Sequence, residues 1–202
     1  MPDAYHHGNL RNDLISEGLK TLCKDGFAAF SLRELSKRLG VSHAAAYRHF
    51  ATKEELLKTI YLEASAQFKR ALADSIGPDA TGYEALMRLG IGYVRFFVGK
   101  PELLTLFTMM PSEGGLFLAL FGPNAGCGNL DELPGSSGFN LLRRFALPLR
   151  EEEQYAGLSD REILLGFWGK VHGIASILIT QKNFIPEDQV DATIDRVVRT
   201  AF

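Results

Sequence analysis

Apolar residues recur every three or four positions along the chain, and no useful length alternates with period two, so the pattern predicts helices and no sheet. Leu10, Leu14, Ile15, Gly18, Leu19, Leu22 and Cys23 form one stripe that runs up to Gly26. Ser31-Leu-Arg-Glu34 has the spacing of a capping box, in which Ser31 accepts from the third residue's N–H while Glu34 reaches back, and it opens a second helix. Leu32, Leu35 and Leu39 make the inner face of that helix, and Gly40 supplies a left-handed stop. Only Val41 separates this glycine from Ser42, an N-cap for a third helix through His49 and Phe50. Thr52-Lys-Glu-Glu55 repeats the capping-box spacing and opens a fourth helix to about Ala73. Leu35, Leu39, Val41 and Phe50 are expected in the core. Three short helices with a tight Gly-Val-Ser turn have a helix-turn-helix shape, whose last helix projects as a major-groove reader must. Many helical bundles contain such a turn, so spacing alone leaves that reading open.

Beyond residues 76–82 the composition changes. Residues 83–110 are helical in pattern and strongly apolar, with Pro101 starting a fresh helix. Pro111–Gly138 holds three Pro and seven Gly in 28 residues, which predicts a loop with one turn of helix around Leu116–Phe121. A short helix is expected over Leu141–Leu149, ending near Pro148, and a long one over Asp160–Gln181, capped by Ser159. The last is expected over Pro186–Phe202, with Ile185, Val190, Ile194, Val197 and Val198 on one face.

At 202 residues, 46% hydrophobic and 23% charged, the chain has an ordinary globular composition, which excludes disorder as its ground state. No run reaches the roughly 20 uncharged apolar residues of a membrane helix. The longest candidate, Phe167–Ile179, carries Lys170 and His172. The start of the chain lacks the pattern of a signal peptide, and two cysteines, Cys23 and Cys127, make no disulfide framework, so a cytoplasmic location is expected. Net charge is −2, but its distribution is uneven. Ser31–Lys53 holds five basic residues against one acidic, and residues 1–60 hold four of the five histidines. A basic head on an acidic body hints at nucleic acid, although a cluster this small is also an ordinary solvated face. Nucleophile elbow, glycine-rich phosphate loop, His-Glu-x-x-His and paired-cysteine motifs are not found. Glu151-Glu152-Glu153 has no partner base, and the adjacent His6 and His7 make a poor metal site. No catalytic residue, metal or cofactor is expected.

The run Ser31–Leu57 resembles the N-terminal DNA-binding domain of the TetR family of bacterial transcriptional regulators. The marks are Gly26-Phe27, Leu39-Gly40-Val41-Ser42, Tyr47-x-His49-Phe50, and Lys53-Glu54 with Leu56; the opening Tyr5–Arg11 is also similar to starts in that family. Trp168-Gly-Lys-Val-His172-Gly173 is similar to the Trp…His-Gly signature of one subgroup of TetR C-terminal domains, and Pro101–Phe107 fits that subgroup's upstream motif. The resemblance implies an all-α protein of nine to ten helices. A helix-turn-helix DNA-binding domain would span 1–55 and a ligand-binding and dimerisation domain 56–202. Such a protein is a homodimer through its last two helices, and a repressor released from a palindromic double-stranded operator by a small molecule. The alternative is a helical small-molecule-binding protein or enzyme without operator function.

Carried over by position, Ser31 and Arg33 stand at the start of the second helix, where Arg33 would reach a base edge or a phosphate. Ser42, His43, Ala44 and Ala45 form the first turn of the recognition helix. Tyr47, His49 and Lys53 would hold phosphates, while Arg48 would help His43 at the bases. The family often has Gly and then Thr or Ser at 44 and 45, and Leu or Ile at 46, so the alanines here leave base reading mainly to His43. The expected effector shell is Phe96, Phe97, Phe107, Met109, Trp168 and His172, reached through the 111–138 loop. Its aromatic content and lack of charge favour an apolar or aromatic effector. Each residue also has a plain structural reading: the aromatics fill the core, Tyr47 packs with its hydroxyl in water, and His172 is a core histidine bonded to a backbone carbonyl.

Overall fold

Capping and turn residues decide where the helices begin and end. The computed structural model describes residues 9–109, 137–181 and 183–200. Among them are nine α-helices joined by turns and short 3₁₀ segments, with no strand. The chain forms two compact units, residues 1–64 and 65–202.

In the first unit, α1 (Leu10–Ala29) buries Leu10, Leu14, Ile15 and Leu22, and Gly26 breaks its helical geometry at φ 76°. α2 (Leu32–Arg38) begins at Ser31, whose Oγ accepts from Glu34 N at 3.2 Å. The return half of the expected capping box is replaced: Glu34 turns its carboxylate to Arg38, four residues on, at 3.3 Å. An ion pair on the same helix face competes directly with the reach back to the cap. α2 ends on Gly40 at φ 67°, with Gly40 N bonded to Lys37 O and Val41 N to Ser36 O, the paired bonds of a Schellman stop. Leu35 and Phe50 are core, but Leu39 and Val41 are only half-buried, because both sit in the turn itself. α3 (His43–Tyr47) is shorter than the expected run through Phe50 and continues as a turn at Arg48 and His49.

α4 (Lys53–Ile76) starts after Thr52, whose Oγ accepts from Glu55 N at 3.1 Å, while Glu55 accepts from Ala51 N at 2.8 Å. It runs three residues past the expected end and stops at Gly77, φ 72°. Its residues 53–64 belong to the first unit and 65–76 to the second.

In the second unit, α5 (Gly82–Gly99) is the central element, buried over most of its circumference from Ala85 to Phe97. α6 (Pro101–Met109) follows with proline in its first turn, where the missing N–H costs nothing. α7 (Ser137–Ala146) begins earlier than expected and passes at Pro148 into a 3₁₀ turn. α8 (Asp160–Thr180) opens with a complete capping box between Ser159 and Glu162. α9 (Val190–Thr200) is shorter than the expected 186–202 because residues 187–189 form a 3₁₀ turn. α5, α7 and α8 share a core that includes Leu86, Leu89, Phe139, Leu142, Leu164 and Phe167. α9 is tied to α5 by Arg199 to Glu84 at 2.8 Å and Arg95 to Asp191 at 2.7 Å. The expected 111–138 loop, with Cys127, falls almost wholly outside the described residues, as do the side chains of Cys23 and Met109.

Candidate functional site

The surface of the first unit around the α2–α3 turn is built from capped, short elements. Ser42 caps α3 by accepting from Ala45 N at 3.2 Å. His43 and Ala44 on the first turn are exposed, Ala45 is half-buried, and Ala46 is fully buried as the single anchor of the helix. Tyr47 is 45% exposed, with its ring edge-on to His43 at 4.6 Å, so it lies on the surface rather than in the core. Arg48 and His49 are exposed beside it, and Phe50 closes the core beneath. Arg33 is exposed on α2, whereas Ser31 is half-buried and its hydroxyl serves the cap. Lys53 stands half-buried at the first position of α4 with Nζ 5.7 Å over the Phe30 ring. Arg38, counted in the basic head, is exposed but paired: it bonds Thr21 at 3.1 Å, Asp25 at 2.7 Å and Glu34. Its charge is therefore neutralised locally, and the outward basic groups of the turn are Arg33, Lys37 and Arg48.

The second unit holds a cavity of about 20 Å³ bounded by α4, α5, α7 and α8. Phe68 and Leu72 from α4, Leu89 and Tyr93 from α5, Phe139 from α7 and Trp168 from α8 are among its walls. Gly138 also borders it, and a Cβ there would stand 2.8 Å from the Phe68 ring, so a larger residue would displace that ring. Of the expected effector shell, Trp168 borders the cavity. Phe96, Phe97 and Phe107 instead pack around Phe68, with ring centroids 5.1, 5.2 and 5.5 Å from it. His172 is half-buried, and its partner is a side chain rather than a backbone carbonyl: its Nδ1 lies 2.9 Å from Tyr93 Oη. Trp168 Nε1 donates to the same oxygen at 3.2 Å. Burial raises the Tyr93 hydroxyl above its ordinary range, partly offset by the indole N–H, and burial lowers the His172 imidazole. Tyr93 and Phe68 were missed from sequence. Each lies on an apolar helical face and looks like any other core aromatic until the facing helix is in place.

Residues 14–60 match the family model for bacterial regulatory proteins of the tetR family. Over whole chains, a protein of unknown function from Rhodococcus sp. RHA1 is 26% identical, with 98% of each chain covered and a TM-score of 0.64. A TetR family transcription regulator from Marinobacter aquaeolei VT8 is 18% identical, covering 95% of this chain and 94% of its own, TM-score 0.65. The transcriptional regulator FadR from Bacillus subtilis, solved in complex with stearoyl-CoA, is 16% identical over 94% and 96%, TM-score 0.65. No curated protein matches the chain by sequence. The match to the family is thus confined to residues 14–60, and the whole chain shares its fold with solved TetR-family regulators. The matched segment takes in α1 from Leu14, the whole α2–α3 turn and the first two turns of α4. The exposed residues of α3 thus lie inside the TetR-type domain, and the cavity lies wholly in the remainder of the chain.

Proposed function

We propose that this TetR-like chain is a sequence-specific, operator-binding repressor that a small apolar or aromatic effector releases from DNA. The observation that carries the reading is the α2–α3 turn within the TetR-matched segment, where a Schellman stop and Ser42 present the outer face of α3 to solvent on a single buried alanine. Residues 1–55 are assigned to DNA binding and 56–202 to effector binding and dimerisation. His43, with Ala44 and Ala45 and helped by Arg48, reads base edges; Arg33 reaches a base edge or a phosphate; Tyr47, His49 and Lys53 hold phosphates. Ser31 and Ser42 position these groups through their caps. We further place the chain in the subgroup with the Trp–His–Gly signature, supported by the bonds of both Trp168 and His172 to Tyr93. FadR from Bacillus subtilis was solved with stearoyl-CoA, which supports a ligand-responsive role for the shared fold.

A second copy is the partner proposed for α8. This helix is long and apolar enough to cross a membrane by length and composition, yet little of its apolar stretch is buried within the chain. Its open side carries Leu165, Gly169, Gly173, Ser176 and Ile177, with Lys170 at its margin, as suits an isologous helix pairing in a cytoplasmic dimer. A helical carrier or enzyme without operator function lacks any reason for the exposed, TetR-matched α3.

Selection of bound sequences from a random duplex pool with the purified chain tests the reading. A palindromic site with half-sites about one DNA turn apart, roughly 34–36 Å, is expected. Retention of DNA with no enriched sequence, or no retention at all, overturns it.

A further inference from the structure

The cavity in the second unit has one polar station on an otherwise apolar wall, and chemistry sets the direction of its hydrogen bonds. An indole N–H only donates, so Trp168 Nε1 gives its proton to Tyr93 Oη at 3.2 Å. The Tyr93 hydroxyl lies 2.9 Å from His172 Nδ1. If Nδ1 carried a proton, it too would donate to Oη, and the buried phenolic proton would need a third partner. None is present among the described residues. The arrangement that leaves no buried proton unpaired has the hydroxyl donating to Nδ1, with the His172 proton on Nε2. Tyr93 is 6% exposed, so this chain of bonds is sealed from bulk water on the tyrosine side. Both protons on the wall are spent, and what remains free is a lone pair on Tyr93 Oη. The cavity has room for one water-sized group, but an ordered water needs two to four polar partners and this wall offers one acceptor.

Taking this cavity as the inner end of the effector site proposed above, we infer that it selects an uncharged apolar molecule bearing one hydrogen-bond donor, a phenol or alcohol, whose O–H is given to Tyr93 Oη. An ether or carbonyl finds no free proton on the wall. A carboxylate meets a lone pair among Phe68, Leu72, Leu89, Phe139, Leu142 and Val171, with no cation in the lining. The donor occupies the cavity, and the body of the ligand displaces the Phe68 ring, which stands between the cavity and the rings of Phe96, Phe97 and Phe107.

Trp168 is the sole tryptophan in the chain and borders the cavity, so a bromine brought against it quenches its fluorescence. The full chain is titrated at pH 7 with 4-bromophenol, 4-bromoanisole and 4-bromobenzoate. Saturable quenching by the phenol is expected at about tenfold lower concentration than by the anisole, the worth of one hydrogen bond, and none by the benzoate. Tyr93→Phe removes the acceptor and opens both the indole N–H and the Nδ1 lone pair, so the anisole, which can now accept from the indole, saturates at lower concentration than on the unmutated chain, which a purely structural role of Tyr93 would not produce. If that variant does not fold, the three probes on the unmutated chain still decide. Saturation by the anisole or the benzoate at or below the phenol concentration overturns the proposal, as does a phenol that never saturates. Operator binding is followed in the same samples. Phenol binding with the expected preference but no operator release leaves the ligand class standing and removes the effector role of the cavity. Release by an anionic ligand acting through the cavity does the opposite.

Discussion

At the scale of single residues, two positions have consequences that can be measured one at a time. Gly40 holds φ 67° between α2 and α3, and both bonds of the Schellman stop depend on it. Gly40→Ala places a Cβ in left-handed geometry at a cost of about 1–2 kcal/mol, to be read as a lower urea midpoint with unchanged helix content. The Ser42 cap follows two residues on, so operator affinity falls as well. Glu84 behaves differently because its effect depends on pH. Arg199 first, and Arg88 second, lower its carboxyl from 4.5 to about 2. The folded state therefore releases this proton more readily than the unfolded chain, and the linked stability is present above pH 4.5 and disappears as pH falls through about 2. Glu84→Gln should lower the urea midpoint at pH 7 by a constant amount that shrinks below pH 4.5 and vanishes near 2. A midpoint difference independent of pH would remove the ion pair as the cause. Tyr93 shows how far a residue is legible alone: its type and periodicity placed it in the core, but its two bonds run to α8 and needed that helix in position.

At the scale of elements, α4 and α8 carry the tests. Lys53 opens α4 with its ammonium over Phe30, and in the proposed operator complex the helix N-terminus and the ammonium would act on the same phosphate. Lys53→Ala is expected to weaken binding to every duplex about equally and to reduce the slope of log K against log salt by about one. A changed base preference at unchanged slope would assign Lys53 to base reading instead. For α8 and α9, burial sorts residues that the helical spacing could not. Ile194 is 1% exposed, so a charge there unfolds the monomer and says nothing about assembly, contrary to its expected place on the dimer face. Ile177 and Val197, at 52% and 39%, are the open positions. Ile177→Asp and Val197→Asp should each give folded monomers by light scattering. A mass of 22.3 kDa for the unmutated chain at micromolar concentration would end the dimer reading.

At the scale of the whole molecule, effector and operator are proposed to communicate through a helix that belongs to both units. Phe68 and Leu72, on the second half of α4, border the cavity, and Lys53 begins the same helix. A ligand that displaces Phe68 shifts an equilibrium only by its differential affinity for the two states, typically 1–3 kcal/mol. Linkage is reciprocal, so saturating operator must weaken effector binding by the same factor by which effector weakens operator binding. Measuring both by fluorescence on one preparation gives this factor, and a factor of one in both directions would end the communication reading.

Local chemistry made much of this protein legible from its sequence. Ser31, Ser42, Thr52 and Ser159 announce helix starts, Gly26 and Gly40 announce breaks, and the three- and four-residue apolar spacing leaves no room for strands, because these signals act within one or two turns of backbone. The TetR resemblance of the head was readable for the same reason, its marks being contiguous over some 27 residues. What needed the folded chain was every choice among long-range partners. Glu34 could reach its cap or Arg38, and Arg38 could face DNA or Thr21 and Asp25; both were decided by which groups the packed helices bring within bonding distance. The same holds for the aromatics, where Phe96, Phe97 and Phe107 close around Phe68 while Trp168 and Tyr93 face the cavity, since a helical pattern reports that a side is buried but not against what.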